Sequence, residues 1–208
     1  MSFTPHLAPR DLFGLIAGTS FAAGLNLYAT LATLGLLAHA QVIDLPPSLH
    51  LLQSWWIISI SVALFGVEFF ADKIPVFDLV WNALHTFIRV PVAALIAYQA
   101  SAQLPPHLQI ATAVLGGLIA FAAHGGKTAA RTLVTPSPEP LSNTALSVGE
   151  DLGAIGLTWL ATQHPYATGI IVVVLVAIIF ISVKLVVKAL RRLFRGAENE
   201  LAGPRKAA

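Results

Sequence analysis

The sequence predicts an all-α, polytopic transmembrane helix bundle of about six spans. Of its 208 residues 56% are hydrophobic and only 11% are charged, whereas a soluble domain carries about a quarter charged residues. Its mean hydropathy of +0.78 points the same way. The apolar residues also gather into segments close to the length of about 20 residues that a bilayer span needs. We therefore expect a single transmembrane domain over residues 1–195, followed by a disordered cytoplasmic tail over 196–208.

Six apolar segments follow one another along the chain, at residues 12–40, 55–71, 79–98, 110–124, 144–161 and 169–190. The first is too long for one upright helix and contains Gly24 and Asn26. We expect it to be either strongly tilted or broken near these two residues. A cleavable signal peptide after Arg10 is the weaker interpretation, because the apolar character continues to Ala40.

The basic residues predict how the segments cross the membrane. The connections 41–54, 99–109 and 162–168 contain no Lys or Arg, whereas the alternate connections contain Lys73, Lys127 and Arg131. The C-terminal end carries a further group of basic residues. Because cytoplasmic loops are enriched in Lys and Arg, both termini are expected in the cytoplasm.

A weak internal repeat relates two pairs of segments. A Leu-Pro-Pro sequence precedes the second segment (45–47) and also the fourth (104–106). The stretch Asn-x3-Thr-x2-Arg at 82–89 aligns without gaps on Asn-x3-Ser-x2-Glu at 143–150. Parallel internal repeats recur among transporters, so two similarly oriented helical hairpins are expected. Chance similarity among membrane helices is the alternative.

Polar residues fall on one face of the third segment and on one face of the fifth. Helical spacing brings together Asn82, His85, Thr86 and Arg89 on the third, and Asn143, Ser147, Glu150 and Asp151 on the fifth. At 1.5 Å per residue, Arg89 and Glu150 each lie about 10–12 Å from the cytoplasmic side. Equal depth and opposite charge predict that Arg89 pairs with Glu150 or Asp151. Glu68 lies close enough to join this predicted polar cluster.

The predicted cluster has two interpretations. It could be a satisfied clamp between helices with no role towards a substrate. However, one arginine cannot neutralise Glu68, Glu150 and Asp151 together. A surplus carboxylate at membrane depth must be protonated, hydrated or partnered by a cation, and these are properties of a transport site.

A second set of residues predicts a basic vestibule at the cytoplasmic side. His124, Lys127 and Arg131 share a face if the fourth helix continues through Gly125 and Gly126. With Lys73 they would attract an anion, helped by neighbouring helix N-termini. The alternative for Lys127 and Arg131 is an ordinary contact with lipid phosphate.

Other chemistries find little support. There is no cysteine, and the histidines show no H-E-x-x-H spacing, so no metal site and no cofactor are predicted. The sequence also lacks a G-x-S-x-G nucleophile motif, so no catalytic residue is assigned. The net charge of +2 arises mostly near the C-terminus and does not indicate nucleic acid. The expected partners are membrane lipids and a small ion or anionic solute, and a homo-oligomer is left open.

Three stretches resemble a known family. They are GLNLYATLATLGLLA (24–38), EFFADKIPVFDLVWNALHTFIR (68–89) and HGGKTAARTLVTPSPEPLSNTALSVGEDL (124–152). Together they resemble a family of small bacterial membrane proteins known as domain of unknown function 4126. The resemblance covers about residues 14–161 and implies a multi-pass protein of the bacterial inner membrane. It implies no activity.

The sequence thus supports three hypotheses for function. The first is a transporter or channel for a small solute or ion, built around the charged residues. The second is a membrane scaffold or assembly factor in which the same charges pair helices. The third, less favoured, is a membrane-embedded enzyme acting on lipid headgroups. A cavity that reaches Glu150 would favour transport, and a dry, fully paired cluster would favour the scaffold.

Overall fold

The described chain is helical almost throughout. The computed structural model describes residues 9–73, 75–134 and 140–201. Within these ranges lie seven α-helices and one short 3-10 helix, and no strand. The helices are α1 (Pro9–Leu25), α2 (Leu27–His39), the 3-10 helix (Pro47–Gln53), α3 (Trp55–Ala71), α4 (Pro75–Ala100), α5 (Pro106–Val134), α6 (Pro140–Gln163) and α7 (Pro165–Leu201). The predicted all-α membrane bundle is confirmed.

Short connections make the helices from α3 to α7 alternate in direction. Ser48, in the 3-10 helix before α3, donates a hydrogen bond of 2.7 Å to the carbonyl oxygen of Gln99 in the last turn of α4. The hydroxyls of Ser101 and Thr112 lie 2.6 Å apart, which joins the end of α4 to the start of α5. We call this end of the bundle, where α3, α5 and α7 begin, the upper end. The lower end is where α4 and α6 begin.

The first apolar segment is broken at Asn26, which was one of the two alternatives expected from the sequence. Asn26 has an extended backbone, with φ −147° and ψ 106°. Its side-chain oxygen accepts a hydrogen bond of 2.9 Å from the amide of Ala29, so it caps the N-terminus of α2. The break leaves two short helices, α1 of 17 residues and α2 of 13 residues.

The two short helices form a hairpin that enters and leaves at the upper end. Leu12 and Ile16 of α1 share one hydrophobic cluster with Leu34 and Ala38 of α2, and with the last turns of α4. If α1 and α2 were collinear, Leu12 and Ala38 would lie about 39 Å apart at 1.5 Å per residue. The start of α1 also packs on the start of α7, so closely that a side chain at Gly14 would collide with the carbonyl oxygen of Pro165. We call α1 and α2 the re-entrant hairpin and Asn26 its tip.

The centre of the bundle is α1, which contacts α4, α5, α6 and α7. Small residues allow the helices to approach closely there. Ala17, Ala22 and Ala23 are fully buried. A side chain at Gly24 would collide with the carbonyl oxygen of Ala120 on α5. The surface on which the hairpin packs is therefore provided almost entirely by helices that come later in the chain.

The prediction of about six spans is higher than the structure shows. In the described chain three helices are long and apolar enough to cross a membrane, over Trp81–Ala100, Pro106–Arg131 and Pro165–Ala189. A fourth is counted if the 3-10 helix and α3, which meet at 62°, form one broken span. By the same criterion α1 and α2 are only short apolar helices. The first apolar segment was counted as one tilted or broken span, whereas the chain turns back at its middle. The helix α6, counted as the fifth span, is not among the helices that meet the criterion.

The hairpin also bears on the predicted positions of the chain ends. Because α1 begins beside Pro165 at the upper end and α7 runs down from there, the start of α1 and the end of α7 lie at opposite ends of the bundle. This arrangement speaks against two cytoplasmic termini, whose position stays a prediction. The helix α7 continues to Leu201, beyond residue 196 where the tail was expected to begin, and residues 202–208 lie outside the described part.

The two predicted hairpins, α3–α4 and α5–α6, have the same orientation, since α3 and α5 both begin at the upper end. Their entries differ, because the first Leu-Pro-Pro sequence leads into the 3-10 helix and the second leads directly into α5. The superposition of the two hairpins stays a prediction.

Candidate functional site

Charged and polar side chains meet just below the tip of the re-entrant hairpin, in the lower half of the bundle. Four helices and the residue that ends α3 supply them. Glu68 lies on α3 and Asp72 directly follows it. The others are Asn82, His85, Thr86 and Arg89 on α4, His124, Lys127 and Arg131 on α5, and Ser147, Glu150 and Asp151 on α6. We call these residues the polar cluster. Glu68 and Arg89 are fully buried, and Asp151 is 4% exposed. The predicted face of α4 is confirmed, since Asn82, His85 and Arg89 are all buried.

Arg89 is held by groups from four helices. Its guanidinium donates a short charge-assisted hydrogen bond to Glu68. The Nη1 atom lies 3.1 Å from Nδ1 of His124 and 3.4 Å from the carbonyl oxygen of Leu25. It lies 3.5 Å from Oδ1 of Asn82. Arg89 therefore ties α3 and α5 to the last residue of α1.

Lys127 lies at the centre of the charges. Its Nζ atom donates a hydrogen bond of 3.1 Å to the carbonyl oxygen of Leu25. The same atom lies 3.5 Å from Glu68, 3.6 Å from Asp72 and 3.2 Å from Glu150. The carbonyl at the C-terminus of α1 carries partial negative charge, so it suits both Lys127 and Arg89. The break at Asn26 thus produces an acceptor for two buried cations.

Arg131 closes the lower side of the cluster. Its Nη2 atom lies 2.6 Å from Oδ2 of Asp72 and 2.6 Å from Oε2 of Glu150. Its Nε atom donates to the Glu150 carboxylate at 3.2–3.3 Å. The Ser147 hydroxyl donates a hydrogen bond of 3.2 Å to Oδ2 of Asp72. The side chains of Glu150 and Arg131 retain 9% and 10% exposure, so this is the part of the cluster nearest to solvent.

The predicted pairing of Arg89 with Glu150 or Asp151 is wrong. The structure pairs Arg89 with Glu68 and Glu150 with Arg131. Depth along a helix axis, which led to the prediction, says nothing about which neighbouring helix a side chain faces. The position of α3 beside α4 decides the partner of Arg89.

Asp151 has a different environment from the other carboxylates. Its Oδ1 atom accepts a hydrogen bond of 2.8 Å from the side-chain amide of Asn26. Its Oδ2 atom is buried and has no hydrogen-bond partner among the described residues. Asn26 therefore caps α2 with its oxygen and holds Asp151 with its nitrogen.

Hydrogen bonding fixes the tautomers of the two histidines in the cluster. Arginine only donates, so Nδ1 of His124 accepts from Arg89 and its Nε2–H donates to the Thr86 hydroxyl at 2.7 Å. A carbonyl only accepts, so Nδ1–H of His85 donates to Trp81 O at 2.7 Å. Nε2 of His85 then accepts from the Tyr28 hydroxyl at 2.8 Å. Both imidazoles are neutral in this arrangement.

The predicted basic vestibule is not an open compartment. The helix α5 does continue through Gly125 and Gly126, which was the condition for His124, Lys127 and Arg131 to share a face. However, His124 and Lys127 are each 4% exposed and belong to the buried cluster. Lys73 is apart from it: this exposed residue donates to the carbonyl oxygen of Phe69 at 2.8 Å, and its ammonium lies over the Phe69 ring.

Three members of the site were not predicted from the sequence. Asp72 lies in the turn that ends α3, and its place four residues after Glu68, on the same face, was not used as a signal. Asn26 was recognised only as a helix breaker, and Tyr28, which contacts His85, carried no signal. The side chain of Asn143, which the sequence places in the cluster, lies outside the described residues.

No group of three or more His, Asp or Glu residues in the described part of the chain is arranged to hold a metal ion. What the site offers is a set of fixed charges. Three cations (Arg89, Lys127 and Arg131) face four carboxylates (Glu68, Asp72, Glu150 and Asp151), next to an interrupted helix. Such a site can bind and release a small charged species, or it can fix the helices.

The comparison with known families now has a structural context. A family model described as "Domain of unknown function (DUF4126)" matches residues 13–185, from the start of the re-entrant hairpin into α7. The chain belongs to the DUF4126 family. The DUF4126 match contains every residue of the polar cluster, and it confirms the resemblance found in the sequence. Neither a curated protein nor a solved structure matches the chain.

Proposed function

We propose that this protein moves a small solute or ion across a bacterial inner membrane, with the polar cluster as its binding site. The observation that carries the proposal is the contact of the tip of the re-entrant hairpin with buried charges. Asn26 contacts Asp151, and the carbonyl oxygen of Leu25 accepts from Arg89 and Lys127.

Interrupted helices have a particular meaning at membrane depth. Non-helical backbone leaves polar groups unpaired, and it is tolerated there only when protein buries it or a wet cavity surrounds it. In secondary transporters, the ends of half-helices form the sites for substrates and coupling ions near the bilayer midplane. A hairpin used only for packing would have no need to end on charged side chains.

The balance of charges also supports a transport site. If all seven ionisable groups counted above were charged, the cluster would carry one uncompensated negative charge in the described chain. Burial of an uncompensated charge costs several kcal/mol, so a cation or proton would be stabilised there. This surplus of carboxylate was expected from the sequence, although the members of the cluster differ.

The conformation described is an occluded one, because even the charged side chains nearest to solvent, Glu150 and Arg131, are only about a tenth exposed. They lie on the side of the lower end. That end also carries the basic residues of α7, so the proposed orientation has the lower end in the cytoplasm and the start of α1 outside. Uptake or release would require a motion that opens the cluster at this side.

A specific observation favours a second candidate, the scaffold. Glu68, Asp72 and Glu150 each lie within 4 Å of two cations. Such pairing fixes α3, α5 and α6 relative to one another and requires no transported species. A lipid-headgroup enzyme gains no support, since His124 and Lys127 are buried rather than facing lipid.

Flux measurements separate the two candidates. Purified protein in liposomes is exposed to gradients of protons, sodium, chloride and acetate, with the membrane potential set by potassium and valinomycin. Separate liposomes contain dyes sensitive to pH, to sodium or to chloride. The transport proposal predicts flux of at least one of these, and its loss in Glu150→Gln. The matched control is Asp44→Asn, which removes an exposed carboxylate outside the cluster. Folded protein that carries none of the four would refute transport of these species and support the scaffold.

A further inference from the structure

We infer that Asp151 is the proton-binding group of this protein, and that its protonation loosens the tip of the re-entrant hairpin. The inference deepens the proposed function and rests on it. Three independent features of Asp151 point the same way.

The first feature is the distribution of cations over the carboxylates. Each of the other three carboxylates lies within 4 Å of two of the three cations. Asp151 forms no ion pair within that distance in the described chain, although it is next to Glu150 in sequence and lies on the inward face of α6. The uncompensated negative charge of the cluster therefore belongs to Asp151 and is not shared among the four carboxylates.

The second feature is the burial of Asp151. The residue is 4% exposed, and its Oδ2 atom has no hydrogen-bond partner among the described residues. Oε2 of Glu68 has none there either, but within the described chain Glu68 has two cations within 4 Å and Asp151 has none. An ionised carboxylate in this position keeps a buried oxygen without a donor, which is costly. Transfer of a proton from hydronium removes the charge: an O–H bond of hydronium breaks and an O–H bond to Asp151 forms. The reverse transfer to water restores the carboxylate.

The third feature is the link to the hairpin. Oδ1 of Asp151 accepts from the amide of Asn26, whose own oxygen accepts from the amide of Ala29 at the start of α2. A hydrogen bond to an ionised acceptor is about twice as strong as one to a neutral acceptor. Protonation of Asp151 therefore weakens the bond that holds the tip, and the first turn of α2 should open more often.

Charged and titratable neighbours surround Asp151 on several helices. The charged groups that act on Asp151 are Lys127 on α5, and Asp72 and Glu68 at the end of α3. The other titratable groups of the site are Tyr28 on α2, His85 and Arg89 on α4, His124 and Arg131 on α5, and Glu150 on α6. On α1 the last carbonyl contributes partial negative charge, and it is already engaged by Arg89 and Lys127. The cations are thus held by other acceptors.

A proton fits this site better than a metal ion. A proton needs one oxygen atom, and Asp151 offers one. Calcium takes six to eight oxygen ligands and magnesium about six, whereas the described chain contains no group of acidic or histidine residues arranged for a metal.

Infrared difference spectroscopy tests the site directly. Spectra of the full-length protein in liposomes are recorded at acidic and at alkaline pH. We expect a carboxylic-acid C=O band that appears on acidification, is lost in Asp151→Asn, and remains in Asp151→Glu and in the control Asp44→Asn. A band of unchanged intensity in a folded Asp151→Asn protein would overturn the assignment.

Hydrogen exchange tests the link to the hairpin. Exchange of the segment 26–30 is compared between the wild type and Asp151→Asn, at the same pH, so that the intrinsic pH dependence of exchange cancels. Because asparagine imitates the protonated side chain, the variant should exchange several-fold faster at alkaline pH and at an equal rate at acidic pH. Equal rates at both pH values would refute the coupling.

Neither measurement depends on flux, so the two proposals can fail separately. If the band and the exchange behave as expected but liposomes show no flux, the transport proposal fails and the proton site stands. If the wild type shows flux and Asp151→Asn retains both that flux and its pH dependence, Asp151 is not the proton-binding group.

Discussion

Replacement of Arg89 by methionine should destabilise the protein more than any change at an exposed charge. Arg89 and Glu68 are both fully buried and joined by a charge-assisted hydrogen bond. Methionine keeps much of the volume but leaves Glu68 with Lys127, at 3.5 Å, as its remaining cation. Removal of one member of a buried ion pair costs about 3–5 kcal/mol. We expect a loss of this size in the free energy of unfolding.

The partner is identified by a double-mutant cycle. Glu68→Gln removes the stranded charge, so the double variant Arg89→Met with Glu68→Gln should recover about 1–3 kcal/mol relative to the sum of the single losses. The same cycle with Glu150→Gln should recover much less, because Glu150 pairs with Arg131. This comparison distinguishes the structural pairing from the one that sequence depth alone suggests.

The assay is reversible unfolding in mixed micelles of mild detergent and dodecyl sulfate, followed by circular dichroism. Lys73→Met is the control, since this exposed cation contacts the Phe69 carbonyl and the rings of Phe69 and Phe70 and lies outside the polar cluster. Its loss should cost less than about 1 kcal/mol. Additive losses for Arg89→Met and Glu68→Gln would show that the two charges do not interact, and the described cluster would then be incorrect.

Two further predictions concern the loops. Gln41 has φ 57° just after α2, where its amide donates to Ala38 at 3.1 Å; Gln41→Gly should therefore stabilise the protein by about 0.5–1 kcal/mol in the same unfolding assay, because glycine adopts this conformation without strain. No gain over Gln41→Ala would contradict this reasoning. Cysteines at Ser48 and Gln163 should react with an impermeant reagent added outside intact cells, whereas one at Lys73 should react only after permeabilisation. Labelling of Lys73 from outside would reverse the proposed orientation.

The helices and their inward faces could be predicted from the sequence because they depend on local spacing. Polar residues three and four positions apart must share a face of α4, and the face containing Asn82, His85 and Arg89 is indeed buried. The continuity of α5 through Gly125 and Gly126 was a condition for the predicted face of His124, Lys127 and Arg131, and the structure meets it.

The direction of the chain after Asn26 could not be predicted, because no local pattern encodes it. An asparagine at a helix N-cap fits a tilt, a kink or a complete reversal equally well. The reversal depends on contacts with distant residues, such as that of Gly14 with Pro165. The first of the predicted spans and the expected positions of the chain ends both rested on this one choice.

The partners within the site were unpredictable for a related reason. Axial depth brings Arg89 level with Glu150, but the angle around the bundle decides which carboxylate it meets. Asp72 shows a different kind of error. Its neighbours Lys73 and Pro75 indicate a turn, and the residue does lie in one, but its spacing of four residues from Glu68 also brings it to the polar cluster.

The short length of the re-entrant hairpin has a consequence for biosynthesis. The helices α1 and α2, of 17 and 13 residues, leave the ribosome before the other described helices. At 1.5 Å per residue they measure about 26 Å and 20 Å, each less than the roughly 30 Å of a hydrocarbon core. The helices that surround α1 are α4, α5, α6 and α7, which are all synthesised after it. The re-entrant hairpin therefore cannot reach its final position until α7 has been translated. Until then the nascent hairpin must stay in the translocon or at the membrane surface.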